Sequence, residues 1–321
     1  MKKSILITII ILAIVLILSL SGCKKKQVEK NPEPTPTPVE KPVEEVEDDE
    51  KAVIMEEFQN IVESDNEPIK TKNFIDENIG KLSQLEGDKM IDALEKSLEK
   101  HLEKYTDKIL ALDKKFELMD IAGSELFFPE EKIKDIKDEK LREEVKKLYD
   151  SMYKLINLEG SFYPYIDYFK LQGYSNNITD EWKEYLGIRA MDSNDPPLVD
   201  AGLRIGYGEL ANRIIKAENY LNKYIDSQRQ DEMLLNYENK LRIYLKGIDN
   251  SPIADPDTKK IYDDVLDSYV NTSHMENHVT AHILYKYVEE LETNNYIIDE
   301  DILNKADELI EEALEILSEF K

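Results

Sequence analysis

The chain has 321 residues, a formal charge of -26 and one cysteine. That charge, with no basic patch to offset it, argues against nucleic acid as a partner. A single thiol excludes disulfide frameworks, thiolate zinc sites and redox pairs, so the size of the core must supply the stability.

The chain opens on a short basic stretch, Met1-Lys2-Lys3, followed by sixteen residues from Ile5 to Leu20 interrupted only by Thr8 and Ser19. That is the layout of a signal peptide: the run is shorter than the roughly 20 residues that span a bilayer, and it stops at small residues. The next residues, Leu20-Ser21-Gly22-Cys23, resemble the bacterial lipobox, a leucine and two small residues ahead of a cysteine. The resemblance covers the first 23 residues. It implies that the signal peptidase reads Leu20, Ser21 and Gly22, removes 1–22, and leaves Cys23 as the N-terminus with diacylglycerol on its sulfur. The implied address is the extracytoplasmic face of the cell membrane. The other reading is an uncleaved N-terminal helix with an incidental cysteine.

Residues 23–50 follow as lipid anchor and stalk, with five of the twelve prolines between Pro32 and Pro42 among Glu, Lys and Thr. Such a composition buries no core and favours extended conformations, so this stretch is expected to be a disordered Pro/Glu-rich tether. At about 3.1 Å per residue it reaches roughly 80 Å. Lys24 to Lys26 would meet anionic headgroups, and the stalk's composition suits a single-membrane, Gram-positive cell surface.

Within 51–158, Ile91, Leu94, Leu98, Leu102, Tyr105, Ile109, Leu112, Phe116 and Met119 step mostly by three and four. The spacing predicts one amphipathic helix over 87–120, about 50 Å long. Leu141, Val145, Leu148, Met152 and Leu155 repeat the pattern and predict its antiparallel partner, completing a helical hairpin.

Residues 159–207 form an aromatic-rich connection, with eight Phe, Tyr or Trp residues between Phe162 and Tyr185. Tyr163, Tyr165, Asp167, Tyr168, Trp182, Tyr185 and Asp192 are the candidate binding surface, a groove for a peptide or glycan. The competing reading makes the same rings a core between two helical halves. Leu158-Glu159-Gly160-Ser161-Phe162 resembles the Glu-Ser turn of lytic transglycosylases. That resemblance implies Glu159 as a general acid acting on peptidoglycan, although Gly160 departs from the residue expected after the acid. A general acid of this kind needs an aromatic pocket to raise its pKa.

In 208–321, Leu210, Ile214, Ala217, Leu221 and Tyr224 mark one helix, and Leu234, Tyr237, Leu241, Tyr244 and Leu245 a second. Ala217 to Ser227 resembles the end of the first helix of tetratricopeptide repeats, with Ile225 where proline is usual. A further pair is predicted over 259–270 and 274–291, and a last helix carries Leu303, Ala306, Leu309, Ala313, Ile316 and Leu317. The resemblance implies degenerate repeats that bind protein on a concave face. His274, His278 and His282 fall on the predicted helix from 274. Four-residue spacing makes His274 and His278 the weak candidates for a metal, while the wheel places the stripe towards solvent.

The expected protein is all-α: a tether, a helical hairpin, an aromatic middle and repeat-like helix pairs. Its expected role is protein or peptide binding, or scaffolding, at the cell envelope, with no cofactor beyond the lipid on Cys23. The alternatives are a peptidoglycan hydrolase or lyase using Glu159, and a ligand-binding lipoprotein using the aromatic segment.

Overall fold

The computed structural model describes residues 48–64 and 66–319. The expected signal peptide, Cys23 and the tether through Glu47 lie outside the described residues. Asp48, Asp49 and Glu50, expected as the end of the tether, instead form the acidic first turn of helix α1 (Asp48–Glu63), where unpaired N–H groups favour negative charge. Helix α2 (Pro68–Asn78) starts with proline, at a position where no N–H is needed.

Helix α3 (Gln84–Leu112) opens on a reciprocal capping box. The Ser83 N–H donates to Glu86 Oε2 at 2.8 Å and the Glu86 N–H returns to Ser83 Oγ at 3.4 Å. Its predicted seam is buried at Ile91, Leu94, Leu98, Tyr105 and Ile109, with Leu102 half-buried. The helix stops at Leu112, short of the expected 120, because Phe116 takes a left-handed φ of 55°. The chain turns there into the short helix α4 (Glu117–Ala122), with no glycine or proline to announce the break.

Helix α5 (Glu139–Asp150), capped by Asp138, packs against α3 as the expected partner. It ends earlier than predicted. Met152 has a φ of 70°, and Leu155 belongs to strand β1 (Tyr153–Leu158), which pairs antiparallel with β2 (Ser161–Ile166). Glu159 and Gly160 form the two-residue turn, with φ of 51° and 84°, the backbone sign that matches the strand twist. Leu126 to Phe128 lie along the other side of β1: the Asn157 N–H donates to Leu126 O at 2.7 Å and the Phe128 N–H to Leu155 O at 2.9 Å. This leaves β2 as an edge, where Pro164 costs no ladder bond. Strand β2 packs on α3.

After β2 come helix α6 (Tyr168–Leu171), a 3₁₀ turn over Gln172–Asn177, helix α7 (Asp180–Asn194) and the short pair β3 (Leu198–Val199) and β4 (Gly202–Leu203). The segment before α7 lies hard against α3. A Cβ on Gly87 would sit 2.0 Å from the Asn177 carbonyl oxygen, and the Thr179 N–H donates to Asp88 Oδ1 at 2.9 Å. Glycine is required at 87 by close approach alone.

Five helices complete the chain: α8 (Tyr207–Lys223), α9 (Gln230–Lys246), α10 (Asp263–Ser273), α11 (Val279–Thr293) and α12 (Glu300–Ser318). Their predicted apolar faces are largely buried. The contacts run α8–α9–α12–α11–α10 and back to α8, and α8 also touches α11 and α12. Such an arrangement is a bundle gathered around α8, so the tetratricopeptide resemblance and its concave face find no support in it. The apolar core is continuous from α1 to α12, and the described residues fall within one compact unit spanning 46–321. The expected boundary at 158/159 falls inside the β-hairpin turn. The fold is predominantly all-α, with two small two-stranded sheets.

Candidate functional site

Glu95 lies on the buried face of α3 between Leu94 and Leu98 and is fully inaccessible to solvent. An isolated carboxylate there would cost several kcal/mol, so the surrounding chain must supply donors. Three elements do. Tyr168 Oη donates to Glu95 Oε1 at 2.7 Å, Tyr185 Oη approaches the same oxygen at 2.6 Å, and Arg229 Nη2 donates to Oε2 at 2.6 Å. Arg229, just ahead of α9, also reaches Asp92 Oδ1 at 2.7 Å and Glu232 Oε2 at 2.8 Å. Arg189 of α7 donates to Glu232 Oε1 at 2.7 Å and to Tyr168 Oη at 2.6 Å.

The rings complete the junction. The Arg229 guanidinium lies 4.6 Å from the Trp182 ring centroid and 4.9 Å from that of Tyr185, and Arg189 lies 4.5 Å from Tyr168. Trp182 and Tyr185 meet edge to face at 5.4 Å. Cation–π contact and ion pairing reinforce one another where water is excluded. Burial opposes the charge on Arg229, but the carboxylates and phenols around it outweigh that and hold it protonated.

Beside this junction lies a second polar cluster. Asp192 accepts from Lys240 Nζ at 2.6 Å and Arg213 Nη1 at 3.2 Å. Burial pushes the Lys240 ammonium below its usual range, against the pull of Asp192. Asp167 is buried with Lys154 Nζ at 3.7 Å, and Lys154 sits 4.4 Å from the Phe127 ring centroid.

The predicted binding surface is therefore mostly interior. Asp167, Tyr168, Trp182 and Tyr185 are buried, while Tyr163, Tyr165 and Asp192 are half-buried. Tyr168, Trp182 and Tyr185 face Glu95 of α3 and Arg229 just ahead of α9 and lie in the core between these elements, as the competing reading expects. Sequence reasoning missed Glu95, Arg189, Arg229, Glu232 and Lys240. The only signal was a charge at an apolar-face position, Glu95 four residues after Ile91 and Lys240 three after Tyr237.

Glu159 sits at the exposed tip of the β-hairpin, outside any aromatic pocket, so the environment a buried general acid needs is not built around it. The histidines do not share a helix. His274 caps the end of α10, and its Nδ1 lies 2.7 Å from Val270 O, while His278 precedes α11 with its Nδ1 3.1 Å from Glu218 Oε1. The four-residue helical spacing that would pair them on a metal is absent. Among the described residues, Glu95, Glu99 and Glu232 bring ligand oxygens within 4.8 Å of one another. Guanidinium and phenol donors already occupy Glu95 and Glu232, a set that suits anions, so these residues do not fit a cation cage.

One depression of ≈ 330 Å³ opens above the junction, with Leu85 and Trp182 as apolar lining and Asp88, Asp92, Glu181 and Asp226 around them. Lys89 and Gln228 complete it. Leu85 is 69% exposed, and Trp182 presents its remaining accessible edge there. No protein-family model, curated protein or solved structure matches the chain. Fold and site define the class: a predominantly helical protein with a buried aromatic and ionic junction under an acidic depression. Among the described residues no helix is long and apolar enough to cross a membrane.

Proposed function

We propose that the protein is a lipid-anchored binding module of the cell envelope that holds a basic segment of an extracytoplasmic protein or peptide. The observation that carries the binding reading is the depression itself, where Asp88, Glu181 and Asp226, beside an Asp92 already paired with Arg229 and Lys96, surround Leu85 and Trp182 together with one lysine. Apolar contact for an aliphatic stem beside acids for its ammonium or guanidinium is the chemistry that selects Lys or Arg side chains. The net charge of -26 favours the same partners at long range. The address rests on Leu20-Ser21-Gly22-Cys23.

Trp182 is the only tryptophan, so its fluorescence reports on the depression directly. A lysine-rich peptide is expected to shift its emission saturably, in a manner weakened by salt, whereas an acidic peptide of equal length leaves it unchanged. Asp226→Lys should weaken the response, while Glu311→Lys, the same charge change at an exposed position of α12, should not. Equal loss from both variants would reduce the effect to bulk charge and sink the proposal.

The anchor has its own test. Cys23→Ala is expected to release the chain from the membrane fraction while leaving its circular dichroism and thermal transition unchanged. A variant that stays membrane-bound at its full length would overturn the lipid reading.

A further inference from the structure

The buried junction holds two short oxygen–oxygen contacts at a single phenol, and with both carboxylates ionised one of them has no proton between its oxygens. Tyr185 Oη lies 2.6 Å from Glu95 Oε1 and 2.7 Å from Glu232 Oε1. A phenol has one proton and can satisfy only one of two acceptors. Tyr168 cannot place a proton in the second contact, because it receives an N–H of Arg189 at 2.6 Å and directs its own proton along its separate bond to Glu95 at 2.7 Å. The two arginines donate to the carboxylates directly, Arg189 to Glu232 Oε1 and Tyr168 and Arg229 to Asp92, Glu95 Oε2 and Glu232 Oε2, so none of their protons lies between Tyr185 and a carboxylate.

We propose that Glu95, Tyr185 and Glu232 share one additional proton, carried by Glu95 as a neutral carboxylic acid, and that this proton makes the junction between α3 and α9 a pH-sensitive clamp. The chain then runs from the Glu95 hydroxyl to Tyr185 and from Tyr185 to Glu232. Glu232 is the ionised end, since both its oxygens accept from guanidinium groups and its side chain is 28% exposed. Glu95 is fully buried and holds one guanidinium that it shares with Asp92.

The charged and titratable groups around Glu95 are Asp92, its partner Lys96 and Glu99 from α3, Tyr168 from α6, Tyr185 and Arg189 from α7, and Arg229 and Glu232 at the start of α9. Lys96 pairs with Asp92 at 2.7 Å from the exposed side of α3, so the buried cations facing the two carboxylates bridged by Tyr185 are Arg189 and Arg229. Ionising Glu95 sets a second carboxylate oxygen at hydrogen-bond distance from the Tyr185 hydroxyl with no proton between them. Burial pushes the Glu95 carboxyl above its ordinary value, against the pull of Arg229.

The sign follows from proton binding. A carboxyl raised on folding binds more protons folded than unfolded, so its contribution is full below the unfolded pKa and is lost as pH rises through the folded one. Alkaline conditions release the proton and leave two carboxylates facing one phenol.

The test is infrared spectroscopy of the full chain across mildly acidic to mildly alkaline pH. The carbonyl band of one protonated carboxylic acid per chain is expected at neutral pH, disappearing on alkalinisation and absent from Glu95→Gln. Glutamine copies the neutral acid's donor and acceptor, so this variant should fold and lose the alkaline drop in unfolding midpoint that wild type shows. Tyr185→Phe, which removes the bridge, should displace the wild-type band. No acid band in wild type at neutral pH overturns the shared proton, and a band that survives in Glu95→Gln but vanishes in Glu232→Gln overturns its placement.

Discussion

Arg229→Ala is expected to lower the folding stability by about 3–5 kcal/mol, the range for removing one partner of a buried ion pair. The guanidinium spans Asp92, Glu95 and Glu232 at 2.6 to 2.8 Å and covers the Trp182 ring at 4.6 Å. Alanine leaves acids on both sides of the junction without their shared cation and opens space beside the indole. Lysine keeps the charge but not the fork, and should recover only part of the loss. Denaturant unfolding followed through Trp182 emission measures both, since the probe stands against the substituted group. A change below about 1 kcal/mol would place Arg229 with ordinary surface pairs and remove the junction as the link between α3 and α9.

Glu218→Ala should cost about 3 kcal/mol, from the loss of charge-assisted bonds to groups that stay buried. Glu218 is fully buried on α8 yet serves as the N-terminal cap of another helix, α11. Its Oε1 accepts the Val279 N–H at 2.8 Å and its Oε2 the Thr280 N–H at 3.0 Å, and the Thr280 hydroxyl also donates to it. The carboxylate meets the positive end of the helix and satisfies N–H groups that α11 cannot satisfy itself. Glu218→Gln keeps one acceptor and should lose about half as much. Hydrogen exchange is the discriminating measurement: protection should fall first in the opening turn of α11, and uniform loss across the bundle would contradict a cap.

The predicted seams of α3, α5, α8, α9 and α12 were legible because helix periodicity is a local consequence of burying one face. The same rule misled at Met152 and Leu155, which continue the spacing of α5 by coincidence while the chain turns into a β-hairpin. The Glu159-Gly160 turn and the β-branched and aromatic residues around it were visible signals, overridden by that spacing. Likewise the histidine stripe assumed a helix from 274, whereas α11 starts at Val279, where a carboxylate 61 residues earlier caps it.

By itself the sequence determined the helical class, most of the buried faces and the absence of disulfides, and it alone carries the expectation of a lipid anchor at Cys23. Only the tertiary structure decided that Tyr168, Trp182 and Tyr185 are interior. Tyr168 reaches Glu95 across 73 positions and Arg229 reaches it across 134. Periodicity records which face of an element is apolar. Whether a charge on that face finds its counter-charge and donors depends on chain closure, which brings distant residues into hydrogen-bond range and has no local sequence pattern.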